Sequence, residues 1–145
     1  MVHRLLTLAL ALATVSCDAP DFEVQAPLFV FNTYPANGAL VAREDLQEIL
    51  IVFSQDLGTA EAVRAEIDRW LILEDEEEGE LVLVRPDQTN VAYDADTYTV
   101  RVLVDPPLRE GMQAGAHRLT IDGGVTSAAG LRMPQPYEIR FRLAD

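Results

Sequence analysis

The chain has 145 residues, enough for one ordinary domain. It carries 24 Asp and Glu against 11 basic residues, all of them Arg, and its net charge of −13 excludes a nucleic-acid-binding protein because polyanions would be repelled. One Cys cannot form an internal disulfide or a multi-cysteine zinc site, and two His offer little imidazole for catalysis.

The first predicted element is an apolar segment directly after a short basic start. Residues 5–15 (LLTLALALATV) are apolar apart from Thr, and the run is shorter than the roughly 20 residues of a membrane-spanning helix. This pattern predicts a secretory signal peptide over residues 1–16. Its removal takes away Arg4 and no acid, so we expect a mature net charge of −14.

The residues before the only cysteine, Thr14-Val15-Ser16-Cys17, resemble the lipobox of bacterial lipoprotein precursors. The resemblance implies cleavage between Ser16 and Cys17, diacylglycerol on the Cys17 sulfur and an N-acyl chain such as palmitate on the new amino group. Such chains would anchor the protein firmly, while its acidity is expected to hold the domain away from anionic headgroups. Asp18 resembles an inner-membrane retention signal, so the choice of membrane stays open, as does an ordinary signal peptide with a chance Cys.

Short apolar runs separated by turn residues follow the anchor segment. Residues 17–27 are acidic and contain two prolines, which predicts a lipidated Cys and flexible tether, and the folded domain is expected over residues 28–145. The runs predict an all-β sandwich. The predicted strands are Leu28–Tyr34, Glu48–Ser54, Trp70–Glu74, Leu81–Arg85, Thr97–Val104, Ala116–Asp122 and Tyr137–Leu143.

Strict alternation assigns inward faces to the later strands. In Thr97–Val104 it places Tyr98 and the three valines inward, and in Tyr137–Leu143 it places the aromatic and aliphatic residues inward. One helix is predicted over Thr59–Arg69, where apolar residues recur at helical spacing and Thr59 is a suitable N-cap.

Five motifs, in order along the chain, resemble the bacterial immunoglobulin-like domain first recognised in S-layer proteins. They are Tyr34–Ala39 (YPANGA), Ile51–Leu57 (IVFSQDL), Val91–Asp94 (VAYD), Pro107–Gly111 (PLREG) and Gly124–Gly130 (GVTSAAG). The resemblance implies an Ig-like antiparallel β-sandwich of about seven strands with one short helix. Ser127 and Leu131 stand where that family usually has Asp and Asn, which weakens any calcium site in that loop.

The densest charge run is a candidate cation site. Carboxylates suit Ca²⁺, a basic partner or a cationic glycan, but the spacing of an EF-hand loop is absent. The alternative explanation of the run is a solvated hairpin tip between two strands. Its members are Glu74, Asp75, Glu76, Glu77, Glu78 and Glu80. Asp94 and Asp96 are interpreted as turn formers.

Catalysis has two formal candidates. One is a carboxylate pair for sugar hydrolysis, for which a thin sandwich of about 110 residues leaves little room for a substrate cleft. The other is a triad of His117 with Ser54 or Ser127 and an acid. No nucleophile-elbow motif G-x-S-x-G is present, and the inward parity of His117 favours a packed neutral imidazole. Trp70 and Phe53 are predicted to be core residues.

Together these features predict a non-catalytic lipoprotein on the extracytoplasmic side of the bacterial cell envelope. Its Ig-like domain is expected to act as a binding, spacer or assembly module, with a calcium- or glycan-binding module as the alternative and a small hydrolase as a further one. We expect a monomer with no cofactor beyond its covalent lipid. Its expected partners are the membrane, through the lipid anchor, and an unidentified envelope protein or glycan.

Overall fold

The computed structural model describes residues 25–77, 80–84 and 90–145. The predicted signal peptide, Ser16, Cys17 and Glu78 lie outside these residues. The described strands are β1 Val30–Tyr34, β2 Leu40–Ala42, β3 Glu48–Phe53, β4 Leu71–Glu77, β5 Glu80–Val84, β6 Val91–Asp94, β7 Thr99–Leu103, β8 Gly115–Ile121 and β9 Tyr137–Ala144. The described helices are α1 Ala60–Trp70 and α2 Pro106–Gly111, with a 3-10 turn at Arg43–Asp45.

These strands form two sheets with the orders β1-β3-β7-β6 and β2-β9-β8-β4-β5. Neighbouring strands are antiparallel except β2 and β9, which are parallel. In chain order, β1, β3, β6 and β7 take the places of strands A, B, D and E of an Ig-like sandwich, and β4, β8 and β9 take those of C, F and G. The predicted all-β Ig-like sandwich is confirmed.

The inward side chains of both sheets form one hydrophobic core. Phe53 of β3 and Trp70, the last residue of α1, meet edge to face with ring centroids 6.0 Å apart, so both are core residues as predicted. In β9 the predicted alternation is confirmed, with Ile139, Phe141 and Leu143 buried. A register slip of one residue would expose these side chains, so the pairing is strongly specified.

Helix α1 forms for the predicted reasons. The Thr59 hydroxyl accepts a hydrogen bond from the backbone N–H of Ala62 at 3.2 Å, which caps the first turn. Val63, Ile67 and Trp70 then recur at spacings of three and four residues and are buried. The helix packs against β6 and thereby covers that edge of the four-stranded sheet.

Three features of the prediction are wrong. Tyr98 is not an inward strand residue: it lies in the turn before β7 with φ +54° and is 37% exposed. The prediction omits β2 and β6, which have three and four residues and are too short for alternation to be visible. It also omits α2, which begins because Asp105 accepts a hydrogen bond from the N–H of Leu108 at 2.9 Å and prolines occupy its first positions.

The sandwich has two distinct ends. At the proximal end the chain enters the fold, where Gln55 donates to the carbonyl of Ala26 and the N–H of Phe29 donates to Ser54 Oγ at 3.0 Å. Strand β4 starts at this end, beside Trp70, and runs to the β4–β5 hairpin at the opposite, distal end. The C-terminal Asp145 is also distal, where it pairs with Arg43 at 2.7 Å.

Candidate functional site

Loops at the proximal end bring together segments that are far apart in sequence. The loop after β3 contacts the 122–132 loop through a hydrogen bond from the N–H of Ala128 to the carbonyl of Asp56, at 2.8 Å. The end of β3 itself lies against the turn before β7, because the N–H of Phe53 donates to the carbonyl of Tyr98 at 2.9 Å. Two of the five motifs that resemble the bacterial Ig-like domain, Ile51–Leu57 and Gly124–Gly130, therefore meet at one end of the sandwich.

The centre of this loop cluster is an aspartate–tyrosine pair. The Tyr93 hydroxyl on β6 donates to Asp56 Oδ1 at 2.7 Å and accepts from the N–H of Leu57 at 2.8 Å, while the same carboxylate oxygen accepts from the N–H of Gly58 at 2.9 Å. The Tyr93 hydrogen bond, followed by that of Gly58, holds the pKa of Asp56 below its ordinary value of 3.8. Burial is the main reason that the pKa of Tyr93 rises to about 12.

This pair connects the loop after β3 to β6. Both residues lie within the motifs Ile51–Leu57 and Val91–Asp94, but nothing in the sequence spacing indicates that they meet. Asp56 Oδ1 and the Tyr93 hydroxyl each make two local hydrogen bonds, and this arrangement positions the loop after β3.

The loop over residues 124–132 is closed by its own backbone. The N–H of Ser127 donates to the carbonyl of Leu131 at 2.8 Å, and Ser127 Oγ accepts from the N–H of Leu131 at 3.1 Å. Gly130 has φ +82°, a conformation that favours glycine, and its N–H donates to the carbonyl of Ser127. A hydroxyl and an apolar side chain thus occupy the two positions where carboxylate and amide oxygens are usual in the resembled family.

Asp94 and Asp96 share a tight turn between β6 and β7. One Asp94 oxygen accepts from the N–H of Asp96 at 3.0 Å and the other accepts from the Thr97 hydroxyl at 2.8 Å. The Thr97 bond is the largest cause of the lowered pKa of Asp94. The interpretation of this pair as turn formers is confirmed.

The described part of the acidic run is divided between two faces of β4. Glu74 faces outward, and its Oε2 accepts from Nε and Nη2 of Arg118 on β8 at 2.8 and 2.7 Å. Asp75 is 4% exposed and lies in register with His117 on the inner face. Successive residues of a strand point to opposite faces, so these two carboxylates do not converge on one ion.

The remaining acids of the run have only their backbone described, or lie outside the described residues. Glu76 and Glu77 end β4, Glu80 begins β5, and Glu77 is paired with Glu80 in the hairpin register. Within residues 25–77, 80–84 and 90–145 no group of three His, Cys, Asp or Glu could hold a metal ion. Calcium or glycan binding by the run stays a prediction.

His117 is packed in the core, as its parity predicts. It is fully buried, its ring stacks on Phe141 with centroids 5.3 Å apart, and Nδ1 lies 3.3 Å from the carbonyl of Gly115. Ser54 and Ser127 both lie in the proximal loops, whereas His117 is near the distal start of β8. The structure does not bring the proposed triad together.

A cleft of about 450 Å³ opens at the distal end. Its lining is mostly charged, and Arg109 donates to the carbonyl of Glu44 at 3.2 Å across it. The lining residues are Arg43, Glu44, Arg109, Glu110 and Asp145. Two arginines and three acids line the cleft, so it has no single-sign field to select a charged ligand.

Comparisons with known proteins inform the fold and not the chemistry. No family model matches the chain, and no curated protein matches it in sequence. A solved structure of E. coli alpha-2-macroglobulin in its native conformation is similar, with a TM-score of 0.52 and 14% sequence identity over 82% of this chain. The match spans 6% of that much longer chain, so it supports the fold alone. Among the described residues no helix is long and apolar enough to cross a membrane.

Proposed function

We propose that this chain is a lipid-anchored lipoprotein of the bacterial cell envelope, whose Ig-like sandwich is a non-catalytic binding, spacer or assembly module. The observation that carries the proposal is the position of Cys17, the only cysteine, directly after an apolar run of signal-peptide length and within a lipobox-like sequence. The diacylglyceryl thioether forms on a thiol, and the single thiol of this sequence stands where that chemistry needs it.

The start of the folded unit supports the proposal. Leu28 is fully buried, and Ala26 is already bonded to Gln55, so ordered structure begins within nine residues of Cys17. An anchor so close to the fold would tether the proximal end and leave the distal end, with the β4–β5 hairpin, available to a second component of the envelope.

The use of polar side chains supports a non-catalytic role. In the described residues, the Ser54, Ser127 and Asp56 oxygens accept hydrogen bonds from backbone N–H groups, and Asp94 holds a turn. A catalytic nucleophile needs a base within hydrogen-bond reach, which none of these hydroxyl groups has among the contacts described above. Recognition by loops or by a sheet edge needs no such activation.

The anchor is tested by metabolic labelling with radioactive palmitate in a bacterial host. We expect the wild-type protein to incorporate label and its Cys17→Ser variant to lose both label and membrane association, with globomycin blocking cleavage of the wild-type precursor. A matched control carries Cys17→Ser together with Thr126→Cys, which keeps one exposed cysteine elsewhere and should stay unlabelled. A cleaved, soluble, unlabelled wild type would identify an ordinary signal peptide and overturn the proposal.

The module is tested by crosslinking the anchored protein in its own envelope. We expect a defined envelope protein or glycan to be captured through the distal end. Purified protein that hydrolyses a substrate with unchanged rate after repeated repurification would instead assign an enzyme.

A further inference from the structure

One edge of the sandwich is uncharged in a strongly acidic protein. Residues 24–42 form the longest stretch of the sequence without Asp, Glu, Arg or Lys. The described part of this stretch folds into β1, which borders the four-stranded sheet, and β2, which borders the five-stranded sheet. We call the described segment from Leu28 to Ala42 the uncharged edge.

The uncharged edge carries most of the large apolar side chains that are exposed among the described residues. Four of these six exposed side chains belong to it, the other two being Tyr98 and Leu103. The four are Phe29 (45% exposed), Phe31 (73%), Tyr34 (39%) and Leu40 (72%). Monomeric proteins usually place charges along such an edge, and this one places aromatic rings there.

The backbone explains why Phe31 is so exposed. Between Val30 and Asn32 the register of β1 against β3 shifts, which leaves Phe31 as the extra residue of a β-bulge, outside the ladder. The opposite border of the same sheet, β6, is packed against α1. The two borders therefore differ, because one is covered by a helix and the other presents rings.

Arginines lie beside the uncharged edge on the five-stranded sheet. Arg142 of β9 is in register with Leu40, Arg140 lies two residues earlier on the same strand, and Arg43 directly follows β2. Arg43 pairs with the exposed Asp145 at 2.7 Å, and Arg140 with Glu138 at 3.2 Å. Three of the eleven arginines thus lie beside β2, whereas Asp45 and Glu48 line one depression with Tyr34 at the end of β1.

We propose that the uncharged edge rests on the surface of the lipid bilayer that holds the anchor. This inference depends on the proposed lipid anchor, since Gln25, which precedes the edge, is only eight residues after Cys17, a reach of at most about 28 Å. Phe and Leu side chains insert at the boundary of headgroups and acyl chains, Tyr suits the headgroup level, and Arg pairs with anionic phosphate.

This surface revises the expectation that acidity holds the whole domain away from the membrane. Net charge describes the whole molecule, whereas headgroups meet only the surface within about 10 Å, the screening length in 0.1 M salt. The uncharged edge itself adds no repulsion at that distance, and the acids Asp145 and Glu138 beside it are paired with Arg43 and Arg140. The remaining acidic surface would then face away from the bilayer.

A single introduced thiol tests the proposal in the full-length lipidated protein. The Cys17 sulfur is consumed by the lipid, so Phe31→Cys or Leu40→Cys would provide the sole free thiol for an environment-sensitive NBD label. Glu61→Cys, on the exposed face of α1 beside the opposite edge, is the matched control. The proteins are reconstituted into phosphatidylethanolamine–phosphatidylglycerol vesicles with and without doxyl-labelled lipid.

At positions 31 and 40 we expect blue-shifted emission and quenching by about half in doxyl vesicles, with neither change at position 61. Equal, unquenched signals at all three positions, in protein that floats with the vesicles, would overturn the membrane contact and leave the anchor standing. Wild-type protein that carries no palmitate and does not float would overturn the proposed function itself. Shielding at position 31 in native envelopes but not in vesicles would assign the edge to a protein partner and overturn the lipid assignment.

A variant with charges introduced on the uncharged edge supplies an independent check. Phe31→Asp with Leu40→Asp places two carboxylates on side chains that are more than 70% exposed, so the fold is expected to survive, as unchanged circular dichroism would verify. We expect a label at Tyr34→Cys to be quenched in the otherwise wild-type protein and to lose that quenching in this background. Unchanged quenching in a folded variant would contradict the contact.

Discussion

Removing the hydroxyl group of Tyr93 would test whether the aspartate–tyrosine pair holds the proximal loops. Tyr93→Phe keeps the ring, which packs against the core, and deletes two hydrogen bonds: the one donated to Asp56 and the one accepted from the N–H of Leu57. It leaves Asp56 with the Gly58 N–H and removes the acceptor of the Leu57 N–H. The variant therefore isolates the polar contribution of one oxygen atom.

The expected cost follows from the charge on the acceptor. Hydrogen bonds to charged groups contribute about 1.5–3 kcal/mol, and the lower limit applies here because Asp56 and Tyr93 are only partly buried. We expect the free energy of unfolding to fall by about 1.5 kcal/mol, which corresponds to a melting temperature lower by about 6 °C for a domain of this size.

The free energy that the Asp56–Tyr93 pair contributes to folding should fall both at acidic and at alkaline pH. The pKa of Asp56 is lowered in the folded state, so its contribution is present above its ordinary value of 3.8 and is lost as the pH falls below that value. The pKa of Tyr93 is raised from 10.0 to about 12, so its contribution is present below pH 10 and is lost as the pH rises towards 12. In Tyr93→Phe both losses should shrink relative to the wild type.

Urea denaturation at pH 3, 7 and 11 measures these differences, with Tyr34→Phe as the control that removes an exposed hydroxyl group. Asp56→Asn and the double variant complete a cycle that gives the coupling energy between the two side chains. A Tyr93→Phe cost below about 0.5 kcal/mol, or a coupling energy near zero, would refute the role assigned to this pair.

Further predictions concern the core, the helix cap, the ion pairs and calcium. Trp70→Ala should lower the free energy of unfolding by about 3–5 kcal/mol in urea, because it empties the space beside Phe53. Thr59→Ala should cost about 1 kcal/mol and Thr59→Ser much less, since only the serine keeps a capping oxygen; equal costs would exclude the cap. Arg118→Gln should cost about 1–2 kcal/mol because its ion pair is largely buried, whereas Arg101→Gln, at an exposed pair, should cost less than about 0.5 kcal/mol. Millimolar Ca²⁺ should leave the melting temperature unchanged in calorimetry, and a clear rise would instead indicate that the acidic run binds calcium.

Sequence and structure each explain part of where the side chain of Asp75 lies. The sequence shows adjacent carboxylates, and charge runs are usually solvated. Strand pairing directs Asp75 inward beside His117 and leaves Glu74 outward beside Arg118, a residue 44 positions later. Strand parity alone predicts that the two acids diverge, but the identity of their neighbours depends on which strands pair.

The sequence by itself determined the fold class, most strands, helix α1 and the aromatic core. These features follow from local periodicity, capping and turn chemistry, and the lipobox-like segment before Cys17 is likewise a contiguous pattern. Only the tertiary structure decided that Asp56 meets Tyr93, that the Ser54–His117 triad is not formed, and that Phe31 and Leu40 share one exposed edge. The physical reason is that these features depend on which distant strands pair. In the case of Phe31 and Leu40, they also depend on how β1 and β2 are divided between the two sheets. Spacing along the chain carries no signal for either.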